Sequence, residues 1–187
     1  MRYIFIATLF HLCVNFNLLA QKTIGDITLP KKSELDNTLQ LNGGGVREKY
    51  FIDLYVTGLY LPTINSNASK IIENDESMSI KIFIVSDMIT TAKMKEAISE
   101  GFEKSTQGKV STYQIKITEF EKAISENIKK GVRYEIYYSA VKKSTQVYKD
   151  GIVKADIPGL DFKKVLFGIW LGADPADKGL KDSMLGK

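Results

Sequence analysis

Histidine and cysteine are almost missing from this chain of 187 residues: it has one of each, His11 and Cys13, both inside an apolar N-terminal segment. Without that segment there is no His base, no Cys nucleophile, no Cys/His metal cage and no internal disulfide. Arginine is scarce too, with only Arg2, Arg47 and Arg133. Charge of one sign is lacking: 26 basic residues stand against 22 acidic ones, with lysines alternating among Glu and Asp, so no basic stripe suits a nucleic acid. What remains for chemistry is carboxylates, lysines, tyrosines, hydroxyls and two arginines beyond the N-terminal segment. A composition 44% apolar, 26% charged and 10% aromatic is that of a globular chain and excludes disordered or collagen-like classes.

Residues 1–20 read as a secretory signal peptide: Arg2, an apolar stretch from Tyr3 to Leu19, then Ala20 before Gln21-Lys22. His11, Asn15 and Asn17 interrupt the apolar run and Leu18 stands where a small residue is usual, so a retained anchor is the alternative. Cys13 lacks the small neighbours of a lipidation site. Cleavage after Ala20 leaves a domain over residues 21–187, and the expected location is exported, periplasmic or secreted.

Patterning along that domain predicts short strands at Gly25 to Leu29 and Thr38 to Leu41. The run Asn42-Gly43-Gly44-Gly45 signals either a sharp reversal or backbone packed against something. Val46 to Leu61 reads as one long strand whose even positions, Tyr50 to Tyr60, form the core face, with the mixed odd face solvated or lining a cleft. Further strands are expected at Met78 to Val85, Val132 to Ser139 and, around an Asp150-Gly151 turn, Thr145 to Ile157. Helical spacing marks Ala68 to Glu73, Thr91 to Ser105, Thr112 to Lys129, Leu160 to Leu171 and Asp177 to Leu185, the second capped by Asp87 or Thr90. With no repeat or linker, these elements should share one core as an antiparallel α+β domain.

Two stretches resemble the chalcone isomerase-like family of bacteria. One is Leu41-Asn42-Gly43-Gly44-Gly45-Val46-Arg47 running into Tyr55-Val56-Thr57-Gly58-Leu59-Tyr60-Leu61, the other Ile169-Trp170-Leu171-Gly172-Ala173-Asp174-Pro175 running into Leu180 and Leu185-Gly186. The resemblance implies an open-faced β-sandwich, a large antiparallel sheet with helices packed on one face. It also implies a site headed by Arg47, at the family's arginine, and by Tyr55, where the plant isomerases carry a threonine. The family's helix Tyr and Asn fall on Thr90 and on Glu96 or Ala97, and its C-terminal hydroxyl position on Leu180. So many altered polar groups argue against chalcone cyclisation. The family's non-catalytic branch includes plastid fatty-acid-binding proteins, in which an Arg and a Tyr hold a carboxylate.

Three functions follow as expectations, because a fold of this kind does not dictate one. The first is non-catalytic binding of a fatty acid or similar apolar anion, its head held by Arg47 and Tyr55 with Thr90 beside them. The second is an isomerase, an intramolecular lyase, that stabilises an oxyanion at Arg47 and uses Tyr55 for proton transfer. The third is a structural or partner-binding module of the envelope, marked by a closed cleft and an exposed apolar patch. None calls for a cofactor, a metal or stable membrane insertion of the processed chain. One geometric obstacle stands out, since eight residues of straight strand span about 26 Å and would keep Arg47 and Tyr55 apart. The alternative for Arg47 is a surface ion pair with Glu48 or Asp53; Arg133 is expected to face solvent, Trp170 to be core, and Asp174 and Asp177 to serve a loop and a helix cap.

Overall fold

A computed structural model describes residues 22–187; the leader expected at residues 1–20 lies outside them. A small hairpin, β1 (Lys22–Ile24) and β2 (Ile27–Leu29), precedes β3 (Gln40–Lys49), β4 (Ile52–Leu61), α1 (Ala68–Glu73), β5 (Met78–Ile84) and α2 (Thr91–Ser105). After a 3-10 turn at Val110–Tyr113 come α3 (Gln114–Ser125), β6 (Arg133–Ser139), β7 (Ser144–Lys149), β8 (Ile152–Pro158), α4 (Leu160–Leu171) and α5 (Lys178–Met184). Strands β3 to β8 form one six-stranded antiparallel sheet in sequence order, and helices pack on one of its faces, as the resemblance implies. Among the described residues no helix is long and apolar enough to cross a membrane.

The strand expected from Val46 to Leu61 is in fact two strands. Tyr50 and Phe51 both take left-handed conformations, φ 53° and 62°, and turn the chain so that Lys49 pairs with Ile52 and Arg47 with Tyr55. A two-residue hairpin of this kind usually announces itself by Asn-Gly or Asp-Gly, and two aromatics of high strand propensity hid it. The Asp150-Gly151 hairpin, which has the expected residues, forms as read.

The three glycines do not reverse the chain either; they lie within β3 with none at positive φ. Their role is close approach. A Cβ on Gly43 would fall 2.4 Å from the Ser183 carbonyl oxygen, and one on Gly45 2.8 Å from Ser183 Cβ, so α5 lies flush on the strand. Gly44 and Gly58, facing the other way, are covered by Leu29 of the first hairpin.

That second cover also reverses the faces expected for β4. The odd residues Leu59 and Leu61 face the helices with Ile80, Ile82 and Ile136, whereas Tyr60 lies on the opposite face near Lys81. Both faces are buried, so apolar alternation carried no signal. On that second face the loop after β2 is tied down by Ser33 donating to Glu135 at 2.6 Å and by Lys81 between Glu135 and Glu34 at 3.3 and 3.4 Å.

Helix α3 ends at Ser125, short of the expected Lys129, where Glu126 takes an extended backbone. Under the helices the core is aromatic, with Phe102 edge-on to Phe120 and stacked on Phe162, each at 5.9 Å between centroids. Lys163 of α4 is fully buried, and its ammonium donates at 2.8 Å to each of the carbonyls of Ile71, Ile72 and Asn74 at the end of α1.

Candidate functional site

The tight β3–β4 turn removes the obstacle read from the sequence: Arg47 and Tyr55 face each other across two neighbouring strands, on the side that carries the helices. A register shift after Arg47 marks a bulge at this point, a device that re-aims a side chain. The Arg47 guanidinium donates through Nη1 to Asp177 Oδ2 at 2.6 Å and to the Glu48 carbonyl at 3.1 Å. Both charged side chains keep about a fifth of their surface open, 21% and 22%. The ion pair anticipated with the Glu48 or Asp53 carboxylate is therefore made with Asp177 instead.

Asp177 does two jobs. Its Oδ1 accepts the Leu180 N–H at 2.8 Å and caps α5, as the sequence suggested, while its other oxygen takes the arginine. The second job was not legible, because 130 residues separate the partners and only the seating of α5 on the glycines unites them.

Tyr55 is half-buried, and its hydroxyl oxygen accepts the Trp170 indole N–H at 3.2 Å. In that bond the phenol is an acceptor, so its own proton remains to be donated. Burial raises the Tyr55 pKa above the ordinary tyrosine value, against the opposing pull of the Trp170 N–H and of the Arg47 charge. It is a neutral hydrogen-bond donor at neutral pH. Trp170 is core, as read, but it also orients the phenol.

Thr90 does not join this group. It is exposed at the start of α2, and its hydroxyl accepts the Lys93 N–H at 3.3 Å, so the structure shows the helix cap and no bond to Arg47 or Tyr55 among the described residues. Leu180 is buried on the inner side of α5, apolar at the position the resemblance gives to a hydroxyl. Arg133 is exposed on β6, as expected, and Asp174 lies 3.8 Å from Lys104 in an open loop. No cluster of His, Cys, Asp or Glu fit for a metal occurs among the described residues.

Two cavities are resolved among the described residues, and both lie away from Arg47. A void of about 10 Å³ between Leu61 and Met78 has room for a single water, and a polar groove of about 400 Å³ lies between α2 and α3, lined by Thr91, Lys95, Glu121 and Lys122 among others. Arg47 and Tyr55 offer one charged and one neutral donor on facing strands, with an internal carboxylate seated on the charged one.

The six-stranded antiparallel sheet with helices packed on one side matches the chalcone isomerase-like fold. The family model with that description matches residues 21–186, and the chain belongs to the chalcone isomerase-like family. Among solved structures it is similar to a fatty-acid-binding protein of Arabidopsis thaliana, with a TM-score of 0.68 at 17% identity, over 86% of this chain and 92% of that one. No curated protein matches.

Proposed function

We propose that the protein binds a fatty acid or a similar apolar anion without transforming it, the carboxylate accepting from Arg47 and Tyr55. One observation carries the reading: Asp177 already places a carboxylate on the Arg47 guanidinium, the position a ligand's head group would take. Entry then means exchange of one carboxylate for another, with α5 lifting off the smooth glycine strand and the tail passing between Leu180, Met184 and Trp170. The likeness to a fatty-acid-binding fold supports this reading at the level of the family.

Palmitate titrated against the purified protein tests it, together with extraction and mass spectrometry of whatever co-purifies. Arg47→Gln should weaken binding by about tenfold to a hundredfold, the worth of a lost charged hydrogen bond. Asp177→Asn keeps the cap but withdraws the competing charge, and should tighten binding by about tenfold. If neither substitution moves the affinity, the head group is not at Arg47. The same titration beside a chalcone turnover assay separates binding from isomerase chemistry, since an oxyanion also needs Asp177 displaced. The exposed aromatics Tyr50 and Phe51 favour a second reading, a partner-binding module, for which palmitate uptake would be absent in every variant. Export is part of the proposal as well: the mature chain should begin at Gln21, as intact-mass measurement of protein recovered from its native cells would show.

A further inference from the structure

The end of the sheet that carries Arg47 also carries most of the apolar surface left uncovered. Tyr50 is 82% and Phe51 98% exposed at the β3–β4 turn, and Ile52, Met88, Ile152 and Val153 are exposed at the same end, where β3, β5 and β7 finish and β4 and β8 begin. Arg47 precedes the tip by three residues, about 10 Å of strand. Single exposed apolar residues are ordinary, but a group at one extremity marks a contact surface.

Stability does not account for this tip. Both aromatics sit at positive φ, where a side chain is disfavoured and Asn-Gly would fit without strain. The Lys49 ammonium lies 5.6 Å from the Tyr50 ring centroid, and Lys93, Lys129 and Lys130 are exposed around the same end. Four carboxylates share this end: Asp87 and Asp150, both exposed, accept the Lys130 N–H at 3.3 Å and the Arg133 N–H at 3.0 Å, while Glu48 and Asp53 are exposed beside the turn. Two rings on a narrow turn offer about 150–250 Å² each, far below the roughly 800 Å² that each partner contributes to a stable protein interface. A fluid surface that takes in a protruding ring and offers phosphates to lysines suits it better.

We propose that this end of the sheet docks on a phospholipid bilayer, with Phe51 and Tyr50 entering the headgroup boundary and the surrounding lysines meeting lipid phosphates. The docking stands on the tip alone; that it passes an acyl chain to Arg47 rests on the fatty-acid reading.

Residues 22–187 contain the whole sheet, its helices and their shared core, so the chain from Gln21 is the form to test. It is mixed with vesicles of phosphatidylcholine and phosphatidylglycerol, beside the double variant Tyr50→Asn, Phe51→Gly. The unaltered chain should float with the vesicles, and amide exchange over Lys49 to Asp53 should slow only in their presence. In the variant the bound fraction should fall by about tenfold or more although its melting temperature rises, because strain leaves with the rings. Equal flotation of both chains, no slowing at the turn, or no flotation of either overturns the docking. Palmitate titrations without vesicles are read apart: failure of the unaltered chain to bind palmitate overturns the acyl-chain reading and leaves the flotation result standing.

Discussion

Replacing Gly43 with alanine should destabilise the protein by about 2–4 kcal/mol, far more than a methyl group on a strand ordinarily costs. The new Cβ would meet the Ser183 carbonyl oxygen at 2.4 Å, the Met184 carbonyl oxygen at 2.7 Å and the Gly186 nitrogen at 3.0 Å, all of them backbone. No side chain can rotate away, so the end of α5 must rise or β3 must bend. At Gly58 the same change meets only the side-chain ends of Leu41, Tyr60 and Leu29, at 3.1 to 3.2 Å, and should cost under about 1 kcal/mol. Urea denaturation of the two variants gives the comparison, and equal losses would mean that α5 is not held against the glycines. The consequence reaches the site, because a raised α5 draws Asp177 off Arg47. If the proposed fatty-acid site is at Arg47, Gly43→Ala should therefore bind palmitate more tightly than the unaltered chain even as it unfolds more easily.

That coupling shows which parts of the molecule could be read from residues alone. Where one signal dominated, the reading held: Leu160 to Leu171 is the helix its spacing predicts, and Asp150-Gly151 makes its turn. Asn42 to Gly45 offered two readings, reversal or close packing, and only α5 on top of β3 decided between them. Tyr50-Phe51 gave the wrong one, since the turn they make opposes their own propensity and is imposed by pairing between β3 and β4. Its correction matters most for the site. The straight strand kept Arg47 and Tyr55 apart, and the hairpin puts them opposite each other. Their identities were available from the resemblance; their partners Asp177 and Trp170 were not, being 130 and 115 residues away. Thr90 shows the reverse limit, a position carried over from a family whose local backbone here uses the hydroxyl as a cap.

Helical pattern alone assigns Lys163 to solvent, yet it is fully buried, and it supplies the second large effect. Lys163→Met fills the same space but leaves the carbonyls of Ile71, Ile72 and Asn74 without their donor, and should cost about 2–4 kcal/mol at pH 7. The loss should grow with pH. Burial, the largest influence, pushes the Lys163 ammonium down from 10.5 to about 8, with Lys164 adding to it and Asp75 opposing. Below pH 8 both folded and unfolded chains hold the proton, and the cost of burying the charge is fully present. Between about pH 8 and 10.5 the unfolded chain holds it and the folded chain does not, so stability rises with pH, by about 3 kcal/mol across the whole window. Tyrosines limit the upper end: burial raises Tyr60, Tyr134 and Tyr138 above their ordinary value, and stability falls again once the unfolded chain ionises its phenols above about pH 10. These tyrosines are shared by both chains, so the difference between the unaltered protein and Lys163→Met isolates the lysine. Denaturant unfolding at pH 7 and pH 9.5 should show that difference widening. A constant gap would mean that the ammonium, held by three carbonyls, keeps its proton through the whole range and that the α1–α4 junction rests on a permanent buried charge.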